Sequence, residues 1–134
     1  MRKIRAFTIV EVLVVACVVL AMIAALTPFV RMAKARANRM YCANNLRQIS
    51  LGLHRYALDH NKKFPKNPGE LYPNYVADKE VFDNYKYTPG LTESSPAKEV
   101  IAQDNVGNHK KAGANILRVD GSVEWVGGRS FERS

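Results

Sequence analysis

Acid is scarce in the first half of this sequence: residues 1–66 hold two carboxylates, Glu11 and Asp59. Cysteine is scarce throughout, with only Cys17 and Cys42 among 134 residues. On one continuous helix that separation spans roughly 37 Å, far beyond the reach of a disulfide. A small fold stapled by disulfides is thereby excluded. No Ser/His/Asp order, no metal-ligand pair and no glycine-rich phosphate loop appears. His54 and His60 do not share a helix face. The sequence offers no catalytic constellation, so no enzyme activity and no cofactor are expected.

What is present is unevenly distributed. The first five residues carry Arg2, Lys3 and Arg5. Residues 31–66 hold nine Lys/Arg against one acid, and residues 67–134 hold eight against ten. The net charge of +8 therefore sits on a basic stem that carries a slightly acidic head. The basic stretch Arg31–Arg39 reads as a solvated, lipid-facing collar.

Between those charges lies an apolar run. Val12 to Val30 is 19 residues without a charge, about 28 Å as a helix and close to the ~30 Å hydrocarbon core of a bilayer. Membrane insertion is the reading. A cleavable secretory signal would have an apolar middle of about 7–15 residues, shorter than this one. The "VVAC" ending at Cys17 has the look of a lipoprotein signal, but the apolar run continues well past it. Cations flank both ends of the span, so charge counting leaves the orientation open.

The start of the chain resembles a known family. "MRKIRA" followed by "FTIVE" is similar to the leader and first residues of type IV pilins and type II secretion pseudopilins. The resemblance implies cleavage by a prepilin peptidase between Ala6 and Phe7, N-methylation of Phe7 and an assembly role for Glu11. In such a filament Glu11 would pair with the new Phe7 amine of a neighbouring subunit. The family usually has glycine before the cut; Ala6 is small enough to suit a tight peptidase site. The resemblance also implies orientation: leader in the cytoplasm, helix in the bacterial inner membrane, head periplasmic or extracellular.

Further along, Pro28 interrupts the helix pattern and is expected to kink or loosen it. Leu46, Ile49, Leu53 and Tyr56 recur at helical spacing, with Ala57 widening the stripe and Arg47, Arg55 and Asp59 off it. One helix is expected from Phe7 to about Asn61. Gly52 is either a weak spot in it or a place where a strand approaches closely. The proline-rich "NKKFPKNPGELYPNY" is expected to run as an extended loop pinned to the core by Leu71, Tyr72 and Tyr75.

The rest reads as β structure. "KEVIAQD" is a short strand, and "NILRV", "DG", "SVEWV" a hairpin turning at Asp120-Gly121. A two-residue turn pairs Arg118 with Val123 and Ile116 with Trp125. That places Ile116 and Trp125 on the helix side, with Arg118 at the edge of the face. This half resembles pilin-like proteins of planctomycete-type bacteria, at His109, Asp120, Gly121, Glu124 and Trp125. Asp104, Asn105, Asn108, His109 and Asp120 read as turn formers. Some pseudopilins bind calcium in their C-terminal loops, but calcium needs six to eight oxygens, and no loop here has that regular spacing.

The expected fold class is α+β: a long N-terminal helix packed against a small antiparallel sheet of about three strands. The expected organisation is a cleaved leader (1–6), a transmembrane helix (7–30), an amphipathic stem (31–61) and a loop-rich β head (62–134). The expected function is that of a structural pilin-like subunit of a pseudopilus or pilus. Its partners would be the peptidase, other pilin-like subunits, an inner-membrane assembly platform and membrane lipid. Two alternatives are a DNA-binding minor pilin and an anchored module that does not polymerise. The acidic head, without interleaved bases and aromatics on its sheet, argues against nucleic acid.

Overall fold

A computed structural model describes residues 7–105, 109 and 112–128. The leader with Ala6, and Asn108, lie outside the described residues. Among those described, the order is α1 (Ile9–Asp59), two short 3-10 turns (Pro68–Leu71, Lys79–Phe82), then β1 (Tyr85–Tyr87), β2 (Val100–Asp104), β3 (Gly113–Arg118) and β4 (Val123–Gly127). The chain divides into two compact units, with the boundary between Arg36 and Ala37 inside α1.

In the first unit every described side chain from Phe7 to Arg36 is exposed. The apolar window there has a mean hydropathy of 3.0 and is long enough to cross a membrane. A helix that is apolar on all sides needs apolar surroundings. Pro28 lies inside α1, which continues through it. Proline has no N–H to give the carbonyl four residues back, here Ala24. The Thr27 hydroxyl donates to that carbonyl at 2.6 Å, so a side chain replaces the missing backbone donor.

The second unit holds the core. Leu46, Ile49, Leu53 and Ala57 are buried along one side of α1, as their spacing predicts, while Arg47, Arg55 and Asp59 are exposed. They pack with Phe64, Leu71, Val76, Val81, Ile101 and Leu117. Burial of such side chains contributes roughly 1.5–3 kcal/mol each before entropy is counted. Helix α1 stops at Asp59; Asn61 and Lys62 turn to positive φ, and the Lys62 N–H bonds back to the Ala57 carbonyl.

The proline-rich segment is not wholly extended. Asn67 and Glu70 form a reciprocal cap on the turn at Pro68–Leu71. Leu71 is buried, and Tyr75 is half-buried and donates to Asp59 at 2.8 Å. Tyr72 is exposed instead of pinned; Val76 takes the buried place. Gly52 is a place of close approach, though by this loop and not by a strand. A Cβ there would lie 2.5 Å from Val76 Cγ2.

The sheet is antiparallel in the order β1-β2-β3-β4. It has one strand more than expected, the short Tyr-Lys-Tyr edge β1. The hairpin register also differs from expectation. Leu117 faces Val123, Ile116 faces Glu124 and Asn115 faces Trp125. The cause is the turn. The Gly121 N–H bonds the Arg118 carbonyl, the Arg118 N–H bonds the Ser122 carbonyl, and Gly121 has φ +84°. That is a three-residue loop closed by a left-handed glycine. One extra loop residue shifts β3 by one against β4, so β3 turns its other face to the helix while Trp125 stays on the helix side. Asn115 and Leu117 therefore face the helix, not Ile116, and Arg118 pairs with Glu124 at 3.0 Å.

Candidate functional site

The sequence-predicted residues are spread along the chain. Phe7 is exposed just before α1, and Glu11 is exposed in its first turn. A carboxylate there faces the positive end of the helix dipole, which favours it by about 0.3–1 kcal/mol in water. Asp120 and Gly121 form the hairpin loop, where Asp120 Oδ1 accepts from the Ser122 N–H and hydroxyl. Those bonds hold the Asp120 carboxyl below the usual carboxylate range.

The second unit gathers a different set. Cys42 on α1, Asp104 at the end of β2, and His109 bring together one sulfur, one carboxylate oxygen and one ring nitrogen, all within 4.8 Å of one another. Asp104 is not the turn residue expected: its side chain is 0 % exposed and that of His109 is 5 %. One oxygen, Oδ2, takes three contacts: the Asn115 N–H at 3.0 Å, the Asn115 amide Nδ2 at 2.8 Å and His109 Nε2 at 3.0 Å. The other, Oδ1, is buried without a hydrogen-bond partner among the described residues.

The surroundings hold these groups in place. Asn115 Nδ2 also donates to the Arg39 carbonyl at 3.2 Å, joining β3 to α1. The Arg39 guanidinium lies 4.1 Å over the Trp125 ring, and Trp125 meets the His109 ring edge-on at 5.1 Å. The Tyr85 hydroxyl donates to the Cys42 carbonyl at 3.3 Å. Burial, followed by the Asp104 charge, pushes the Cys42 thiol up. Burial also raises the Tyr85 hydroxyl. Both cysteines are free thiols, as their spacing predicts.

No sequence motif announces this cluster. Its members come from a helix, a strand end and a loop, and only the fold brings them together. A buried carboxylate is costly unless its acceptors are satisfied, and here one oxygen is crowded while the other is unused.

The fold and cluster describe an α+β protein with a membrane-length apolar helix and a small sheet-bearing unit. Residues 31–92 match the model of a family described as "Protein of unknown function (DUF1559)". The match runs from the basic collar of α1 through the loops as far as Thr92, so it includes Cys42 and ends before β2. No curated protein and no solved structure matches the chain.

Proposed function

We propose that this chain is a pilin-like structural subunit that works by assembly, not catalysis. A prepilin peptidase cuts between Ala6 and Phe7, Phe7 is N-methylated, and the mature subunit enters a type II secretion pseudopilus or type IV pilus. Before assembly the helix sits in the bacterial inner membrane with the leader in the cytoplasm and the second unit outside. An assembly platform there draws subunits into the filament.

The observation that carries this reading is the part of α1 from Ile9 to Arg36, exposed on every side with one carboxylate in its first turn. Lipid suits such a helix, and so do identical helices in a bundle. The leader-like "MRKIRA" and "FTIVE" add the cleavage frame, and the family match adds the stem.

Intact mass of the chain extracted from membranes tests the reading. The expected product begins at Phe7 and carries one methyl group. A mature chain beginning at Cys17 with added lipid, or near Ala25, would overturn it.

A further inference from the structure

We propose that Cys42, Asp104 and His109 form a binding site for a zinc-class divalent ion, which clamps α1 to the sheet. The site is independent of polymerisation and does not rest on the function proposed above.

Three observations carry it. The first is the donor set: thiolate and imidazole with one carboxylate suit zinc and its neighbours, whereas calcium and magnesium take oxygen. The second is enclosure, since Asp104 and His109 are almost fully buried. The third is Asp104 Oδ1, a buried acceptor with no partner among the described residues. A structural hydrogen-bond network explains Oδ2. It does not explain an idle oxygen on a carboxylate that shares its site with a sulfur and an imidazole.

The geometry needs modest closing. Zinc bonds of about 2.0–2.3 Å set tetrahedral ligand atoms about 3.3–3.8 Å apart. The three donor atoms lie within 4.8 Å of one another, so the widest pair closes by on the order of 1 Å, within reach of side-chain rotation. Three protein ligands leave a fourth position for water. On binding, the Cys42 thiol releases its proton to solvent and the sulfur takes up the metal bond. The two Asn115 bonds to Oδ2 orient the carboxylate, and Trp125 packs against the His109 ring, as outer partners do in metal sites.

The test uses the full chain in detergent micelles. Zinc is added, excess is removed, and retained metal per chain is measured. Cobalt(II) in place of zinc reports sulfur ligation through a thiolate charge-transfer band. Wild type should retain one zinc per chain, unaffected by excess calcium, and its cobalt form should show the band. Cys42→Ser, nearly isosteric, should abolish the band and weaken zinc by more than about 100-fold, and His109→Ala should weaken zinc as much. Asn115→Ala, which removes an orienting partner and no ligand, should weaken zinc by about 10–100-fold. Circular dichroism confirms that each variant is folded. Absence of retained zinc on folded wild type overturns the site. So does zinc that Cys42→Ser and His109→Ala leave unchanged, which would make the cluster a hydrogen-bonded network only.

Discussion

Asn115 donates to a single oxygen of Asp104 twice, from its backbone N–H and from its side-chain amide. The same amide nitrogen reaches the Arg39 carbonyl on α1. One side chain thus ties two strands and the helix. Truncating it in Asn115→Ala keeps the backbone bond but strips the buried carboxylate of a donor. We expect a loss of about 1–3 kcal/mol in metal-free protein, read from denaturant unfolding. A loss within about 0.5 kcal/mol, the range of ordinary surface changes, would mean that this tie contributes little.

Gly52→Ala should act against the usual helix rule. In an open helix that change adds up to about 1 kcal/mol of stability. Here the new methyl meets Val76 Cγ2 and approaches the Tyr75 carbonyl. Overpacking of this kind costs about 1–3 kcal/mol. The net effect should be a loss, and Val76→Ala in the same chain should recover part of it. A double-mutant cycle measures that coupling; additive effects would show that the loop simply moves aside.

Gly121→Ala strains the hairpin loop. A side chain at φ +84° is unfavourable, and its Cβ would sit 3.2 Å from Ser50 Oγ on α1. Destabilisation of about 1 kcal/mol or more follows, with the register of β3 and β4 kept by the buried Leu117. Amide exchange across the Leu117–Val123 pair reads both. Unchanged stability would assign the turn to Asp120 alone.

The second unit should be sensitive to alkali. Burial raises the Tyr87 hydroxyl above its ordinary value of 10.0, and it donates to the Pro65 carbonyl at 2.6 Å. The folded chain keeps this proton where the unfolded chain gives it up. The contribution is therefore complete below about pH 10 and declines as pH rises above it. Asp120 works in the opposite sense: its lowered value contributes above about pH 4, and the contribution is lost on acidification. Tyr87→Phe should flatten the alkaline limb and leave the acid limb unchanged. Identical alkaline limbs in the two proteins would remove Tyr87 from this account.

Glu11 tests the assembly reading. Glu11→Ala should insert into the membrane as well as wild type, since a costly charge is gone. Leader cleavage should persist. Filament yield should fall sharply, because a neighbouring Phe7 ammonium would be left without a counter-ion. Glu11→Gln keeps size and loses charge, and should assemble nearly as poorly. The measurement compares leader cleavage with sheared-filament yield for each variant. Normal filaments from Glu11→Ala would reduce the carboxylate to a helix-end residue.

Legibility in the sequence followed locality. The stripe Leu46, Ile49, Leu53 and Tyr56, widened by Ala57, was readable because a helix repeats its face every three or four residues; Tyr56 lies at its edge, half-buried against the core. The hairpin at Asp120-Gly121 was readable too. Its register was not, because one left-handed glycine adds a loop residue and moves Ile116 and Trp125 to opposite faces. β1 was missed because three residues are too few for an alternation to stand out. Tyr72 and Val76 exchanged places because a proline-rich loop has no period from which to infer its buried side. The cluster at Asp104 was hidden for a deeper reason. Cys42 and His109 meet only after helix and sheet have packed, and no spacing along the chain encodes that.

The bond from Thr27 to Ala24 has a mechanical meaning. Elsewhere in a helix each carbonyl is held by an amide fixed in the backbone, and releasing it means deforming the chain. At Ala24 the holder is a hydroxyl that turns about a single bond. Rotation of one side chain opens that rung while the neighbouring peptide units stay where they are. The rung beside Pro28 thus opens at lower cost than one closed by a backbone amide, with the Ile23 carbonyl 3.4 Å from the same hydroxyl.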